Sequence, residues 1–574
     1  MRVHRFFFAS LVPTVVLACG GKTADGPGGA DSGVDASVDV GPLPDTTPIP
    51  DDVPSFPDTP VPPVPTDQVD LLFVVDNSQS MSDKQGELAK RVPELVAALT
   101  SPPAGSGRKA IGDLHVGVIT SSLGSHGTSA CAVSIAGEHN DDKGHLLPRV
   151  DATCAGAVTA SALTWVFDPA KPATFKGDGG VAGMQAATSC VITSAHDDGC
   201  GYEETLESMY HFLVDPAPYA SAEVKCTFGA TGDACGTNKI VVTGTDDELL
   251  KERAAFLRPH SVVQIVILTD ENDFSLKPAQ LNWLPWGYGA GQMMRGWKAC
   301  ETVPDDFEPE TGAEYNTLHA TYDCFSCFED TSDPNCKVPW AKDKLNADAD
   351  GRNLRGFHMV QRFGYNFLWG RQRYVNGLTN PTVPGIDASG ALVSLPNPLF
   401  SAGRSAGNVF VAAIVGVPPA LVADSAGAPR ALGSADWDKI IGPNLSKRDP
   451  HMIESIAPRT AYGVAHYAGD RTIDPVNGGD RDNLDGDDLQ YACIGARATT
   501  VRGNECSGAN PELVNPLCQA GGTQPYYKAY PGLRHLRFVH DFGANGIVGS
   551  ICAGSFSPVM SAIADKMQSA LKGR

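Results

Sequence analysis

The sequence predicts an α/β fold with a doubly wound, mostly parallel sheet and large disulfide-bearing insertions. Four short segments are continuous apolar runs rich in β-branched residues, which is typical of strands covered on both faces of a parallel sheet. They are LLFVV (71–75), HVGVI (115–119), VVQIVIL (262–268) and VFVAAIVGV (409–417). Helical periodicity falls between and after these runs, and such alternation favours a doubly wound fold.

The N-terminus predicts export and a lipid anchor. Arg2 and Arg5 precede an apolar run from Phe6 to Ala18. That run is too short to span a bilayer as a helix and is typical of a secretory signal. It ends in VLAC, which resembles the lipobox of bacterial lipoproteins. The resemblance implies that residues 1–18 are a lipoprotein signal peptide and that Cys19 is lipidated; an ordinary signal peptide with a chance cysteine is the alternative.

Residues 19–66 predict a disordered spacer between this anchor and a folded body at 67–574. They are rich in Gly, Pro and Asp and hold almost no large apolar side chains. Such a segment cannot bury enough surface to offset its chain entropy. Gly20, rather than Asp, follows the cysteine, which resembles the sorting pattern of outer-membrane lipoproteins. We therefore expect a protein that is exported and lipid-anchored to the bacterial cell envelope, at the outer membrane.

Three segments have the apolar periodicity of amphipathic helices. They are SDKQGELAKRVPELVAAL (82–99), GYEETLESMYHFLV (201–214) and SPVMSAIADKMQSALKGR (557–574). In the first, Ser82 and Gln85 stand three residues apart, which predicts a capping box. The helix would then begin with only residues 76–81 between it and the strand at 71–75.

Two long stretches, at about 274–407 and 420–534, are expected to be insertions into this fold. The first contains one helix-like stretch, FHMVQRFGYNFLWGRQRYV (357–375), and a cluster of four cysteines: Cys300, Cys324, Cys327 and Cys336. The chain has 15 cysteines, and leaving out Cys19 makes the number even. Disulfides are the expected state in an exported chain. Four zinc thiolates are the alternative for the cluster, and the pairing cannot be predicted from the sequence.

Oxygen-bearing side chains follow two of the predicted strands. Asp76, Ser78 and Ser80 come directly after the first strand, and Asp270 follows the strand at 262–268. The carboxyl ends of parallel strands form the ligand-binding edge of an open sheet. Carboxylate and hydroxyl oxygens are ligands for hard cations such as Mg²⁺. The sequence therefore predicts a divalent cation site for Mg²⁺ or Mn²⁺, with a metal-free turn and helix cap as the alternative.

DNSQS (76–80) matches the DxSxS motif of von Willebrand factor A (vWA) domains, which have a Rossmann-like fold. The segments GCGYEETLE, LTDENDFS and DDLQYACI also resemble secreted bacterial lipoproteins with vWA domains. The resemblance covers about 70–215, 262–270, 409–417 and 535–571. It implies a metal-ion-dependent adhesion site (MIDAS) that contains Asp76, Ser78, Ser80 and Asp270.

The third loop of that site departs from the family pattern. The family supplies a Thr there, usually after a Gly pair, whereas this chain has DDGCGYEETLESM. Glu203 stands nearer the expected position, and Thr205 falls inside the predicted helix. Either residue could complete the site, and Glu203 is slightly favoured.

A weaker pattern resembles a calcium loop. Asn346, Asp348, Asp350 and Gly351 occupy its first, third, fifth and sixth positions, but Phe357 stands where a Glu is required. A solvated loop is the simpler interpretation, and Ca²⁺ at Asn346, Asp348 and Asp350 is the alternative.

The net charge and the absence of common enzyme motifs limit the classes of function that the sequence supports. A net charge of −22 disfavours nucleic-acid binding. The sequence contains no GxSxG, HExxH or GxxxxGK[ST] motif, so we do not expect an enzyme, and an active site within the insertions is the weakest hypothesis. By resemblance, the metal would capture a carboxylate on a protein partner, in an adhesion role. The alternative is a structural or assembly protein of the envelope.

Overall fold

The computed structural model describes residues 62–574 with gaps. The gaps are 135–136, 148–153, 155–161, 171–178, 227–237, 279–281, 283, 288–292, 305–306, 308–313, 337–343, 347–348, 387–391, 402, 483–487, 503 and 508. The predictions for the signal peptide, Cys19 and most of the spacer lie outside the described residues. Among the residues described, no helix combines the length and the apolar character needed to cross a membrane.

The chain alternates between strands and helices. The strands are β1 (Gln68–Val75), β2 (Asp113–Thr120), β3 (Leu163–Val166), β4 (Ser221–Cys226), β5 (Asn238–Thr243), β6 (Val262–Leu268), β7 (Thr382–Ile386), β8 (Leu392–Pro396), β9 (Val409–Val415), β10 (Cys493–Arg502), β11 (Thr523–Ala529) and β12 (Gly546–Ser550). The α-helices are α1 (Ser82–Thr100), α2 (Gly180–Thr193), α3 (Thr205–Leu213), α4 (Asp247–Phe256), α5 (Leu284–Gly287), α6 (Glu314–Tyr322), α7 (Met359–Phe363), α8 (Gln372–Thr379), α9 (Pro419–Val422), α10 (Ser434–Ile440), α11 (Leu533–Phe542) and α12 (Ser557–Lys566).

Six strands form the central sheet in the order β12-β9-β6-β1-β2-β3. All neighbours are parallel except β2 and β3, which are antiparallel. The predicted mostly parallel α/β sheet is thus confirmed. Chain order runs outward in one direction from β1 through β2 to β3, and in the other from β6 to β12. The strand order therefore reverses between β1 and β6.

Helices cover both faces of this sheet. Leu71, Phe73 and Val75 of β1 belong to the core formed with α1, α2 and α12. Leu72 and Val74 face the opposite core, which α3, α4, α8 and α11 complete. Side chains alternate along a strand, so a strand with apolar side chains at every position is buried on both faces. This is why the continuous apolar runs predicted the central strands.

Two local predictions were wrong. Helix α1 has Met81 at its N-cap and no side-chain cap; instead of capping, Gln85 Nε2 donates to the carbonyl oxygens of Asp76 and His196. The helix-like stretch at 357–375 divides into α7 and α8. Gly364 ends α7 at a φ of +69°, where an added Cβ would lie 2.3 Å from the Phe325 oxygen. A side chain could not be accommodated at that close approach.

The connection from β6 to β9 contains α5 to α8 and the hairpin β7–β8, and the connection from β9 to α11 contains α9, α10 and the hairpin β10–β11.

The predicted disulfides are confirmed, including two within the four-cysteine cluster. The described bonds are Cys131–Cys200, Cys154–Cys190, Cys300–Cys324, Cys327–Cys336, Cys493–Cys552 and Cys506–Cys518. Four of these join residues within the two connections or tie one of them to the sheet.

Candidate metal centre

The candidate metal centre lies where the strand order of the sheet reverses. Val75, the last residue of β1, stands opposite Leu268, the last residue of β6. Asp76 N donates to the Leu268 oxygen at 2.9 Å, which carries the ladder one residue further. Asp76 and Asp270 therefore emerge at one edge of the sheet. Ligands of open α/β sheets bind at such a switch point, beyond the carboxyl ends of the strands.

Hydrogen bonds link the loops that follow β1 and β6. Thr269 Oγ1 donates to Asp76 Oδ2 at 2.7 Å. Ser80 Oγ lies 2.8 Å from each carboxylate oxygen of Asp270. Ser78 N donates to Asp76 Oδ1 at 2.8 Å. The structure thus brings the four residues of the predicted motif together, and both aspartates are fully buried.

The Ser78 hydroxyl is the unsatisfied group of this cluster. Its Oγ is buried and makes no hydrogen bond of ordinary geometry, although it lies close enough to the Asp76 carboxylate to lower that group's pKa. A buried polar group without a partner costs about 1–3 kcal/mol. A cation bound between the two loops would give this oxygen a partner. The donor set, two carboxylates and two hydroxyls, fits Mg²⁺ or Mn²⁺.

Glu203 is the residue of the third loop that the sequence favours as a ligand, and its side chain is buried. Burial and, after it, the charges of Glu271, Asp76 and Asp270 raise the pKa of Glu203 well above the usual value. Thr205 has other partners, because its Oγ1 lies 2.6 Å from His535 Nε2 and 3.4 Å from Asp273 Oδ1. These contacts favour Glu203 over Thr205 as the third-loop ligand.

The electrostatics are those of several carboxyl groups held together out of water. Burial and the neighbouring charge of Asp270 raise the pKa of Asp76 to about 6. Burial and the same charge raise the pKa of Glu271 to about 8, although Lys528 opposes the shift. Each shift reports the cost of ionising a buried carboxyl beside other negative charges. A divalent cation would favour the charged forms and remove that cost.

Lys84 is a member of the centre that the sequence did not reveal. It lies on α1, and its Nζ is 2.8 Å from Asp270 Oδ2 and 2.7 Å from the Ser80 carbonyl oxygen. Its side chain is only 1 % exposed, so this amine is a built-in counter-charge. The one available signal was its position, four residues after Ser80, which allows a return to the same loop through one helical turn.

Asn77 holds the loop that carries the motif. Its Nδ2 donates to the His139 oxygen at 2.9 Å, and its Oδ1 accepts from Ser122 Oγ at 2.8 Å. Gly199 N donates to the Asn77 oxygen at 2.8 Å. A Cβ on Gly199 would lie 2.3 Å from Asn77 Cγ, so only glycine permits this approach. The variable position of the motif is thus the one that fixes the loop.

The hairpin β10–β11 together with Tyr530, here called the cover, lies against the centre. Tyr530 N donates to the Asp270 oxygen at 2.8 Å. The Tyr527 ring lies 4.7 Å from Lys84 Nζ. Cys493, at the start of β10, is bonded to Cys552 just beyond β12. The connection between β9 and α11 therefore contributes directly to the surroundings of the centre.

The calcium-loop pattern leads to a different arrangement in the part that is described. Asp348 lies outside the described residues. Asp350 is buried, with Oδ1 2.7 Å from Arg355 Nε and Oδ2 accepting from Met293 N at 2.9 Å. Asn346 Oδ1 accepts from Ala349 N at 3.0 Å. The Asp350 carboxylate thus has an arginine as its counter-charge, and Ca²⁺ binding stays a prediction without structural support.

The resemblance to vWA domains rests on the residues quoted above and on the position of the motif at the switch point. The identity of the ion and of any partner stays a prediction as well. No known protein family, curated protein or solved structure matches this chain.

Proposed function

We propose that this chain is a non-enzymatic, lipid-anchored protein of the bacterial envelope, and that its vWA-like domain binds Mg²⁺ or Mn²⁺. The carrying observation is the convergence of Asp76, Ser80 and Asp270 at the switch point, beside the unsatisfied hydroxyl of Ser78. Glu203 is the proposed third-loop ligand. The resemblance of residues 1–19 to a lipoprotein signal supports the location at the outer membrane.

The burial of the centre supports a structural use of the cation. Asp76 and Asp270 are 0 % exposed and Glu203 is 4 % exposed, so the chain's own carboxylates can surround the ion. The cover is attached to Asp270 through Tyr530. A cation there would hold the cover against the sheet and stabilise the envelope protein in its folded form.

Capture of a carboxylate on a protein partner is the second candidate. It is favoured by the partial exposure of Ser80, which gives the centre one side toward solvent. The pKa of Glu271 is raised to about 8, so this carboxyl is readily protonated. A partner's carboxylate could approach the cation from this side and supply negative charge that a protonated Glu271 does not.

Calorimetric titration with Mg²⁺ tests the site. The wild-type chain should bind one equivalent, and Asp76→Asn should lose at least about tenfold in affinity, equivalent to 1.4 kcal/mol. Asp67→Asn is the control, because Asp67 directly precedes β1, at the end of the strand opposite the candidate centre. The Asp67 side chain is 34 % exposed, and its ion-pair partner Lys572 is 3.5 Å away. Equal binding by wild type and Asp76→Asn would show that the ion is not held here.

Stability in EDTA gives a second readout. The pKa of Asp76 in the folded chain, about 6, exceeds its usual value of 3.8, so the metal-free fold loses stability as the pH rises through that interval. At pH 7 without metal, Asp76→Asn should therefore be at least as stable as wild type. With Mg²⁺ at 100 times the wild-type Kd, wild type should gain about 2.7 kcal/mol and the variant at most about 1.4 kcal/mol.

The two uses of the ion predict different behaviour. If the role is structural, Mg²⁺ should protect the cover from proteolysis, and an acidic peptide should not bind. If the ion captures a partner, a glutamate-containing peptide should bind with Mg²⁺ and be released by EDTA, and its amidated form should not bind.

A further inference from the structure

A second group of side chains that could hold a metal ion lies between the loop after β2 and helix α4. His145 Nε2 is 2.9 Å from Asp246 Oδ2, and His145 Nδ1 is 3.1 Å from Glu252 Oε2. Glu248 completes the group: His145, Glu248 and Glu252 each have a ligand atom within 4.8 Å of the others. None of these residues belongs to the centre at the ends of β1 and β6.

Backbone contacts fix most of this group in place. Leu146 N donates to Glu252 Oε2 at 2.9 Å. Asp246 is the N-cap of α4, and its Oδ1 accepts from Leu249 N at 3.0 Å. The side chains of His145, Glu252 and Asp246 are 6 %, 8 % and 13 % exposed. The imidazole and two carboxylates are therefore already oriented, and only Glu248 is exposed.

The imidazole has a carboxylate beside each ring nitrogen, an arrangement that a metal ligand can use. A metal-binding histidine usually directs its second ring nitrogen to a carboxylate, which fixes the ring. Asp246 has that position on Nε2, and Nδ1 faces Glu252. Zinc bonds of about 2.0–2.2 Å in a tetrahedral array place neighbouring ligand atoms about 3.3–3.6 Å apart. The distance of 3.1 Å between Nδ1 and Glu252 Oε2 is a hydrogen-bond distance, so a small outward shift of the carboxylate would admit the ion.

Glu248 can supply the third ligand from the same helix. It precedes Glu252 by four residues, so both side chains lie on one face of α4. Because Glu248 is exposed, a side-chain rotation can shorten its distance without disturbing the core. One imidazole with two carboxylates favours zinc and related first-row cations over Mg²⁺, which prefers oxygen ligands alone.

We propose that His145, Glu248 and Glu252 bind a divalent first-row transition cation of the zinc class, with Asp246 orienting the imidazole. The ion would cross-link the loop after β2 to the first half of α4. This site is separate from the proposed Mg²⁺ centre and does not depend on it.

Calorimetric titration of the full chain with Zn²⁺, in Mg²⁺ high enough to fill the other centre, tests the proposal. Wild type should bind one equivalent, and Glu248→Gln and His145→Gln should each lose at least about tenfold in affinity. Co²⁺ should give wild type the intense visible absorption of a four-coordinate ion, and Glu248→Gln should lack it. Asp76→Asn should bind Zn²⁺ as wild type does.

Asp247→Asn is the matched control, because Asp247 is an exposed carboxylate in the same helical turn and lies outside the group. It should leave Zn²⁺ affinity unchanged. An equal loss in Asp247→Asn would mean that the helix attracts cations only through its diffuse charge. Unchanged Zn²⁺ binding by Glu248→Gln would show that His145 and its carboxylate partners form only structural ion pairs. Glu248 is exposed, so this variant decides the question even if His145→Gln does not fold.

Discussion

Asp70 is a buried carboxylate in the middle of an apolar strand, and its replacement should be costly. It is 0 % exposed, and its Oδ1 accepts from Arg258 Nε at 2.7 Å. Its Oδ2 accepts from Arg258 N at 2.9 Å and from Ser261 Oγ. Arg404 Nη2 lies 3.7 Å from the same oxygen. One carboxylate thus joins β1 to the segments that enter β6 and β9.

Asp70→Asn keeps the shape of the side chain and removes its charge. Taking away one partner of a buried ion pair costs about 3–5 kcal/mol, because the other charge stays buried. Arg258 retains a second partner, since its Nη1 lies 2.6 Å from Asp113 Oδ1. Arg404 is 3 % exposed and has no such replacement among the ion pairs described here. We therefore expect a loss near the lower end of this range, about 3 kcal/mol in the free energy of unfolding.

Urea unfolding followed by tryptophan fluorescence, with the disulfides intact and EDTA present, measures this loss. Asp67→Asn should cost less than about 0.5 kcal/mol, because exposed ion pairs contribute little. The difference between the variants should persist from 0.1 to 1 M NaCl, since salt screens buried pairs only weakly. A loss below 1 kcal/mol in Asp70→Asn would refute the view that this carboxylate holds the three strands together.

The remaining predictions concern pH and membrane attachment. Burial lowers the pKa of His451, but hydrogen bonds to Asp449 and Asp474 outweigh it and raise the pKa from 6.5 to about 9. Its contribution, at most about 3 kcal/mol, is complete below pH 6.5 and lost as the pH rises to 9. His451→Gln should reduce the change in melting temperature across that pH interval. An unchanged dependence of the melting temperature on pH would contradict the role assigned to His451. Cys19→Ser should release the chain from membranes, and unchanged sedimentation with the membrane fraction would exclude the lipid anchor.

The central strands could be predicted because burial on both faces leaves a strong sequence pattern. Leu71 to Val75 and Val262 to Leu268 are apolar at almost every position, and both became strands at the middle of the sheet. Strand β12, GIVGS, was missed because only two of its residues are large and apolar. Strand β3, LTWV, is short and lies at an antiparallel edge, so burial imposes less pattern on it.

The candidate centre could be predicted only as far as local spacing reaches. Asp76, Ser78 and Ser80 are adjacent in sequence, and Asp270 ends a strand of the expected kind. The partner of Thr205 is His535, 330 residues away in the chain. Gln85 had the spacing of a capping residue, yet its amide donates to the carbonyl oxygen of His196, 111 residues away. Long-range contacts of this kind leave no trace in local periodicity.

The hydrogen bond between Ser80 and Asp270 joins residues 190 positions apart, and this separation bears on the order of folding. Closing a loop of that length costs entropy before any contact compensates for it, so such pairings form late. The contact between Asp270 and Tyr530 spans a still longer stretch of chain. A nascent or partly folded chain would therefore hold the proposed ligands apart and would have little affinity for a cation. Cation binding would select molecules that have completed the sheet and placed the cover, and would slow their return to the unfolded state.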